Sequence, residues 1–513
     1  MAYIQPNSTI EFFADLGLDA GYENTMYFAS TSAKDAYFDA VQKIASAYAQ
    51  SYTRSGRGVI KVQFPMSTMY RVGYMRFKNT SFENKWFYAF VTGVDYINNI
   101  TTEVRFELDV MMTWMGTFSL GECFIERQHT LSDAIGANIA DEKLDTGEYI
   151  VQMYSQTNLF DKYAIYIFQT EDAEGGVAGV FYGGIYSGLY MYYTETAEGA
   201  NTHIQSMIEA NKGDSIVMIQ MLPPHFVQDN VAGSENPTMD RFTIQKPYSS
   251  LNGYVPRNKK LFCYPYNFLT VYNTEGESAN YMYEYFGTLP DEESVGTANF
   301  VIRGACNAQS EISCIPEAYK GASLAYAERL NMSKFPQCAW GSDAFKAYIA
   351  QAQSGLGVGL VSSALQAGAG AMIGDPVLTG RGIGKAIGDV TSLLVANAVH
   401  PSMPVHSKGN QTNDLFVALK AKDFYFYRIC ITKNYAMMID SFFDMFGYAI
   451  RQHGVPNMNA RPNWTYVKTR GCILHGELPS DDAKAIEKIF DDGVRFWKNH
   501  ANIGNYSLNN APA

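Results

Sequence analysis

The chain has 513 residues, enough for two to four domains with sizeable hydrophobic cores. Charged residues make up only 18% of it, whereas tyrosine (36), phenylalanine (31) and glycine (43) are abundant, a balance that favours a β-dominated assembly with large subunit interfaces. The formal net charge of −12 argues against a conventional nucleic-acid binder, which needs a basic face to displace counterions.

The cysteines and the N-terminal segment indicate reduced, cytosolic synthesis. The seven cysteines are odd in number, widely spread and free of any CxxC pair, so we expect neither a disulfide framework nor a zinc site. The first residues, MAYIQPNSTIEFF, contain no basic region followed by an apolar one, and we therefore expect no secretory signal.

The first third of the chain is predicted to be rich in strands. Residues 70–77 and 85–96 have strand composition, with turn signals at Lys78-Asn79 and Asn98-Asn99. Ahead of them, residues 32–49 are predicted to form a helix because aromatic and aliphatic residues recur there at helical spacing.

The clearest period-two pattern follows at residues 103–112, where apolar and charged residues alternate. This alternation predicts a half-buried strand. Its polar face would carry the acidic residues Glu103, Glu107 and Asp109.

The middle of the chain, residues 150–260, is rich in tyrosine and glycine. Its segment FYGGIYSGLYMYYTE (181–195) is compatible with aromatic strands, with a carbohydrate- or receptor-facing surface, or with plain packing. Proline-bearing stretches at 222–224 and 247–256 predict a boundary near residue 250.

Strands are predicted to resume at 261–272, 300–306 and 422–433. A final helix is predicted from Ser480, which would act as the N-cap ahead of an acidic first turn. Gly493 predicts a bend or an early end of that helix.

Residues 347–374 form a charge-free apolar run, followed by a polar turn (374–385) and a second apolar arm (386–405). A helical arm of about 20 residues would just cross a hydrocarbon core of about 30 Å. Six glycines lie in the first arm, and each costs a helix about 1 kcal/mol relative to alanine: Gly355, Gly357, Gly359, Gly368, Gly370 and Gly374. The pattern indicates a conditional membrane hairpin; a buried core helix and a flexible loop without a membrane role are the alternatives.

The residues expected to contact lipid are the large apolar side chains of the two arms: Leu356, Val358, Leu360, Val361, Leu365, Met372, Ile373, Ile383, Ile387, Leu393, Leu394 and Val395. Asp389 lies in the second arm and would cost about 3 kcal/mol at a bilayer centre. In a multimeric pore it would face the water-filled lumen instead, which makes it the candidate pore-lining residue.

No pattern in the sequence indicates catalysis. It has no GxSxG elbow, HExxH, DxDxDG loop or dinucleotide fingerprint, and the eight histidines lack ligand spacing. We therefore predict a protein that is not an enzyme and that holds no cofactor or metal ion.

The acidic strand face suggests a further hypothesis. If strands from several subunits close into a tube, Glu103, Glu107 and Asp109 facing the lumen would repel phosphate. Double-stranded DNA would then slide through without specific binding.

Several blocks of the chain resemble a known family. In chain order they are NKWFYAFVTGVDYIN (84–98), VRFELDVMMTWM (104–115), FIERQHT (124–130), TGEYI (146–150), YPY (264–266), VIRG (301–304) and GCILHGELPSDDAKAIEKIFDDGVRFWKNHANIGNYSLNN (471–510). They are similar to the tail knob, or distal tail tube, proteins of small short-tailed bacteriophages, the picovirus-type podoviruses. Residues 150–260 match poorly and carry no inference from the family.

The resemblance implies a mainly β (α+β), multi-domain β-barrel or β-sandwich protein that forms a hexameric tube at the virion tail tip, after synthesis in the host cytoplasm. Apolar loops of the family plug the distal exit and then enter the host membrane as a pore for the genome. The expected divisions are an N-terminal tube domain (1–150), a knob insert (151–255), a second tube domain (256–345), the membrane-active loop (346–408) and a C-terminal strand and helix (409–513).

The expected partners are five further copies of the chain, upstream tail or connector proteins, host membrane lipids, double-stranded DNA in the lumen and a host surface receptor. Three other classes stay open at this point: a soluble pore-forming toxin, a tail-associated hydrolase and a receptor-binding adhesin. The hydrolase lacks a nucleophile or an acid–base pair, and the missing secretory signal and the phage-like end blocks count against the toxin. An adhesin role is compatible with the tail tube through the tyrosine-rich segment 181–195.

Overall fold

The computed structural model describes thirteen stretches of the chain: residues 7–50, 58–159, 164–171, 177–178, 181–182, 185–186, 190–210, 212–222, 238–288, 296–305, 311–333, 337–339 and 422–512. The apolar loop predicted at 346–408, with its twelve lipid-contacting residues and Asp389, lies outside them.

Strands dominate the described residues, which confirms a mainly β fold. Their bounds in chain order are β1 Ser8–Ala14, β2 Thr25–Met26, β3 Lys43–Gln50, β4 Val59–Val62, β5 Val72–Lys78, β6 Phe87–Asn98, β7 Thr101–Leu108, β8 Phe118–Leu120, β9 Cys123–Gln128, β10 Tyr149–Gln156, β11 Ala164–Gln169, β12 Val177–Ala178, β13 Phe181–Tyr182, β14 Ile185–Tyr186, β15 Tyr190–Thr194, β16 Ile216–Leu222, β17 Thr238–Gln245, β18 Asn267–Asn273, β19 Ser278–Tyr281, β20 Thr297–Ala305, β21 Glu311–Tyr319, β22 Ala322–Leu324, β23 Leu330–Met332, β24 Gln337–Ala339, β25 Phe424–Ile431, β26 Tyr448–Gly454, β27 Trp464–Arg470, β28 Leu474–Gly476 and β29 Val494–Trp497.

The α-helices within the described stretches are α1 Thr31–Ala40, α2 Met66–Met69, α3 Val110–Trp114, α4 Ala197–Glu209, α5 Lys433–Phe446 and α6 Ser480–Asp492. These helices and strands are divided between two compact units. The first draws on Met1–Gly147, Gly253–Cys263 and Thr432–Ala513, and the second on Glu148–Asn252 and Tyr264–Ile431. The five-part division of the chain given above stays a prediction.

The first unit contains a six-stranded sheet in the order β3-β1-β5-β6-β7-β4 and a five-stranded sheet in the order β2-β29-β27-β9-β26. The strands predicted at 70–77 and 85–96 are confirmed as β5 and β6, and Asn98-Asn99 begins the turn of the β6–β7 hairpin.

The predicted helix over 32–49 is right only in its first half. Ser30 caps α1 by accepting a hydrogen bond from the Ala33 N–H, but Val41 is extended and the chain continues as β3. β3 pairs with β1, for example Ala47 with Ile10. Pairing with β1 therefore determines the conformation of Lys43–Gln50, although the side chains of this segment have helical spacing.

The C-terminal helix differs from its prediction at both ends. Ser480 is its first residue rather than its cap, because the N-cap is Pro479, which makes no side-chain capping bond. The acidic first turn is confirmed by Asp481 and Asp482. The early end at Gly493 is also confirmed, and Val494–Trp497 form the fully buried strand β29.

The prediction that Asp109 continues the acidic strand face is wrong. β7 ends at Leu108, and Asp109 is fully buried and caps α3 by accepting from the Met112 N–H at 2.9 Å. It also accepts from the Tyr74 hydroxyl at 2.9 Å. Burial raises the pKa of Asp109 to about 6, although both hydrogen bonds oppose that rise.

Buried polar contacts hold the short segment 253–263 within the first unit. Asp440 of α5 accepts from the Tyr254 hydroxyl (2.7 Å), the Arg257 N–H (2.8 Å) and both the backbone N–H (3.0 Å) and the side-chain amide (2.8 Å) of Asn258. One turn further along the helix, Asp444 accepts from the same Asn258 amide at 2.8 Å. Two carboxylates of α5 therefore fix the first half of this segment, whereas Leu261, Phe262 and Cys263 in its second half are buried.

The second unit contains three larger sheets, ordered β10-β25-β18-β19, β12-β15-β11-β16-β24 and β17-β20-β21-β22. Its core is aromatic, with the Phe300 ring 5.1 Å from those of both Tyr281 and Phe426. Strands predicted at 300–306 and 422–433 are confirmed as β20 and β25. The strand predicted at 261–272 begins only at Asn267, because Lys259–Phe262 form a 3-10 turn in the first unit.

We predict that Asp109→Asn makes the stability of the protein less dependent on pH. The folded state holds a proton on Asp109 up to about pH 6, whereas the unfolded carboxyl releases it near 3.8, so the wild type loses stability as pH rises from 4 to 6. Between pH 7.5 and pH 4.5 the free energy of unfolding of the wild type should therefore rise by about 2 kcal/mol relative to that of the variant.

Denaturant unfolding at the two pH values measures this difference. Asp95→Asn, which removes a half-exposed carboxylate from β6, is the control for surface charge. An equal pH dependence of Asp109→Asn and wild type would contradict the assignment.

We predict that Gly447→Ala destabilises the first unit by about 2–4 kcal/mol. Gly447 ends α5 with φ +64°, and an added Cβ would come within 2.4 Å of the Gln128 carbonyl. The control is Gly253→Ala, where φ is +77° but no atom lies within 4 Å of the new Cβ. That control should cost only about 1 kcal/mol of backbone strain in thermal or denaturant unfolding; equal costs for the two variants would rule out the steric explanation.

Candidate functional site

The exposed face of the β6–β7 hairpin carries alternating charges. Asp95 lies opposite Glu103 in the register, and Arg105 reaches back to Asp95 at 2.8 Å. Lys61 of the neighbouring strand β4 lies 3.8 Å from Glu103. Gly93 makes room for the guanidinium, because a Cβ there would come within 3.1 Å of it.

Two of the three predicted acidic residues therefore do share this face, and the third, Asp109, does not. Glu103 and Glu107 project outwards from β7, but Arg105 stands between them. Both cations of the hairpin face are paired with a carboxylate, and within the described residues Glu107 makes no ion pair. The face is mixed with a slight negative excess, rather than the uniform acidic row that the alternation suggested. Exposed pairs of this kind contribute little stability.

The hairpin ends in an apolar tip that the sequence analysis missed. Tyr96 and Ile100 are each 61% exposed, and Ile97 is exposed beside them. The tip is ordered by its own polar groups: the Ile100 N–H donates to the Asn98 side chain at 3.0 Å, and the Tyr96 hydroxyl donates to Asn99 at 2.8 Å. Exposed apolar groups on an ordered hairpin are typical of an interaction site.

A second surface lies on the outer face of the sheet β10-β25-β18-β19. The Tyr154 and Tyr427 rings stack at 6.2 Å, and Tyr272 meets Tyr427 edge-on at 5.4 Å. Residues that pair with one another across the four strands form a row, and two neighbouring rows of this face carry only uncharged side chains. The first row is Tyr154, Tyr427, Thr270 and Asn280, and the second is Gln156, Tyr425, Tyr272 and Ser278. Uncharged, tyrosine-rich surfaces are typical of protein interfaces.

No group of three or more His, Cys, Asp or Glu residues in the described stretches is arranged to hold a metal ion. His129 is occupied structurally: its Nδ1 accepts from the Tyr466 N–H at 2.8 Å, and its Nε2 donates to the Phe443 and Asp444 carbonyls. Burial lowers the pKa of His129 to about 3, so it stays neutral.

Five cysteines of the described stretches are buried thiols that form no disulfide bond there: Cys123, Cys263, Cys314, Cys430 and Cys472. Among the helices of the described stretches, none combines the length and the apolar character that a membrane crossing requires. The predicted lipid-contacting residues and Asp389 belong to the undescribed segment, so their position stays a prediction.

Two family models match the chain. The C-terminal domain of tail knob protein gp9 of Bacillus phage phi29 matches residues 230–511, more than half of the chain. The N-terminus of the caudoviral major tail protein matches residues 6–119, which include the charged hairpin.

Whole proteins are similar over nearly the full length. The tail knob proteins gp9 of Bacillus phages PZA and phi29 are each 23% identical to this chain, over 99% of its length and 100% of theirs. Among solved structures, the tail knob protein gp12 of bacteriophage C1 has the same fold, with a TM-score of 0.61 and 17% identity over 98% of this chain and 99% of that one.

The sequence blocks, the mainly β architecture and the match over residues 230–511 therefore lead to one conclusion. The resemblance to the tail knob proteins of short-tailed phages, predicted from the sequence, is confirmed. The location in the virion and the membership of a non-enzymatic family are confirmed with it. The chain belongs to the phi29 gp9 family of tail knob proteins and is a structural component of a bacteriophage tail.

Proposed function

We propose that this tail knob protein assembles as a homohexameric tube that conducts double-stranded DNA. In this proposal the segment 346–408 plugs the distal exit and then enters the host membrane as a pore for genome ejection. The observation that carries the proposal is the pair of apolar, glycine-rich arms at 347–374 and 386–405, present in the chain of a virion tail component.

The composition of the arms suits storage followed by refolding. Glycine lowers helix stability in water by about 1 kcal/mol per residue, so the arms have little tendency to form a helix before they meet lipid. In a bilayer every backbone group must find an internal partner, which drives the same segment towards helix. Asp389 in the second arm favours a shared pore, since a water-filled lumen lowers the cost of its charge.

The charge of the chain is compatible with a DNA conduit. The net charge of −12 disfavours tight binding to phosphates, and the hairpin face with Glu103 and Glu107 pairs its own cations. If this face lines the lumen, DNA meets few free cations there and is not retained through counterion release. Upstream tail or connector proteins would hold the tube to the virion.

We predict that the purified protein releases dye from liposomes and that deletion of residues 355–398 reduces the release at least tenfold. The deletion removes most of both apolar arms. A variant in which the same residues are replaced by a glycine–serine linker of equal length controls for loop length, and it should be as inactive as the deletion. Equal leakage from wild type and both variants would refute a role for this segment in penetration.

We predict that electron microscopy of the purified protein shows six-fold rings with a central channel, and that the deletion variant forms the same rings. This measurement separates assembly from penetration, because the two proposals depend on different residues. A stable monomer at micromolar concentration would overturn the tube.

A further inference from the structure

We infer that the sheet β10-β25-β18-β19 joins neighbouring copies of the chain edge to edge, with β10 of one copy paired to β19 of the next. This inference rests on the proposed ring and assigns its subunit contact to particular strands. Four observations carry it: the exposure of β10, the matching edge β19, the direction of the strands and the absence of charge.

The first observation is that β10 exposes apolar side chains on both faces. Val151, Met153 and Tyr154 are 56%, 52% and 60% exposed, and the consecutive residues Met153 and Tyr154 point to opposite faces of the sheet. Among the described strands β10 pairs only with β25. Its other edge therefore has no neighbour among these strands. A strand with this exposure presents unpaired N–H and C=O groups that form a ready template for another strand.

The second observation is a matching edge on the opposite side of the same sheet. Among the described strands β19, Ser278–Tyr281, pairs only with β18, and Ser278 and Asn280 are exposed. A bulge at Gln152 interrupts β10 and leaves Met153–Gln156 in continuous register. Each edge thus offers four consecutive residues for pairing with another strand, Met153–Gln156 in β10 and Ser278–Tyr281 in β19.

The third observation concerns direction. A ring of more than two copies needs a heterologous contact between two different patches, which opposite edges of one sheet provide. All neighbours in this sheet are antiparallel, and the number of strands is even, so β10 runs opposite to β19. A contact between these edges in successive copies continues the antiparallel order without interruption.

The fourth observation is that β10 lacks the usual protection of an exposed edge. Its sequence YIVQMYSQ contains neither a charge nor proline, and neither does the SANY of β19. The longer edge strands of the other described sheets carry charges, namely Lys43 in β3, Lys61 in β4, Asp240 and Arg241 in β17, and Arg451 in β26, whereas the uncharged edges β2, β12, β22 and β24 have only two or three residues. Lysine and other charges on an edge discourage strand addition, and β10 and β19 are uncharged edges of at least four residues on which nothing of this kind opposes it.

The uncharged tyrosine face favours a second copy over other occupants. The pair Tyr154 and Tyr427 lies one row from Tyr272, so addition of a β19 strand beside β10 would extend this face across the junction. Tyrosine and methionine are enriched at interface cores, where charged residues are depleted.

We expect Tyr154→Cys with Asn280→Cys to give a ladder of covalent oligomers after treatment with a short bis-maleimide, because the two positions occupy the same row of the sheet. A crosslinker tolerates an offset in register. Each single variant and the wild type, which retains its seven cysteines, should give no ladder on a denaturing gel. Met438→Cys with Asn280→Cys is the matched control, since Met438 is equally exposed but lies on α5.

We further expect Val151→Lys with Met153→Lys to shift sedimentation from the ring to the monomer, with an unchanged circular dichroism spectrum. The control Met437→Lys with Met438→Lys adds the same charge to exposed positions of α5 and should leave the ring intact. If the lysine variant of β10 fails to fold, the crosslinking result decides.

Rings that form in the wild type and persist in the β10 lysine variant, without a ladder from the cysteine pair, would overturn the inference and leave the proposed tube standing. A wild type that sediments as a monomer would overturn the tube itself.

Discussion

The pairing of β9 with β26 and β27 is the interaction on which the first unit depends. It joins strands from opposite ends of the chain, as in the contact of Val467 with Gln128. The fully buried indoles of Trp464 and Trp497 then pack within the same sheet, tilted by 39° with their ring centroids 5.0 Å apart. Once α5 is anchored beside these strands, Asp440 is in place to bind Asn258 and fix the short middle segment. The N-terminal sheet with its charged hairpin thus belongs to a unit that also contains strands from beyond residue 447.

The periodicity of apolar residues predicted secondary structure correctly where buried and exposed positions alternate regularly. The alternation at 103–108 correctly predicts β7, because its apolar residues face the core and its charges face solvent. It misassigns Asp109, since the period does not reveal that the strand stops one residue earlier and that a helix needs a cap there. The second half of the predicted helix at 32–49 fails for a related reason: β1 offers a pairing partner that no local window contains.

The surfaces were harder to predict than the core. Nothing in the period of YIVQMYSQ distinguishes an exposed edge from a buried strand, because apolar residues occupy both faces in either case. The apolar tip at Tyr96 and Ile100 could have been suspected from an isoleucine directly after the Asn-Asn pair. The family resemblance was recognisable because its blocks include core strands and the buried end of α6, which packing constrains more tightly than it constrains surface side chains.

The first unit is built from three separate segments of the chain, and this has a consequence for its biosynthesis. During translation its N-terminal strands leave the ribosome well before β26, β27 and β29 exist, so the five-stranded sheet cannot close until Trp497 at the end of β29 has emerged. By then the apolar arms at 347–405 have already been synthesised. The nascent chain therefore carries these apolar arms through a period in which the five-stranded sheet is still incomplete. Because non-local strand pairing is slow, this period extends beyond the synthesis of β29.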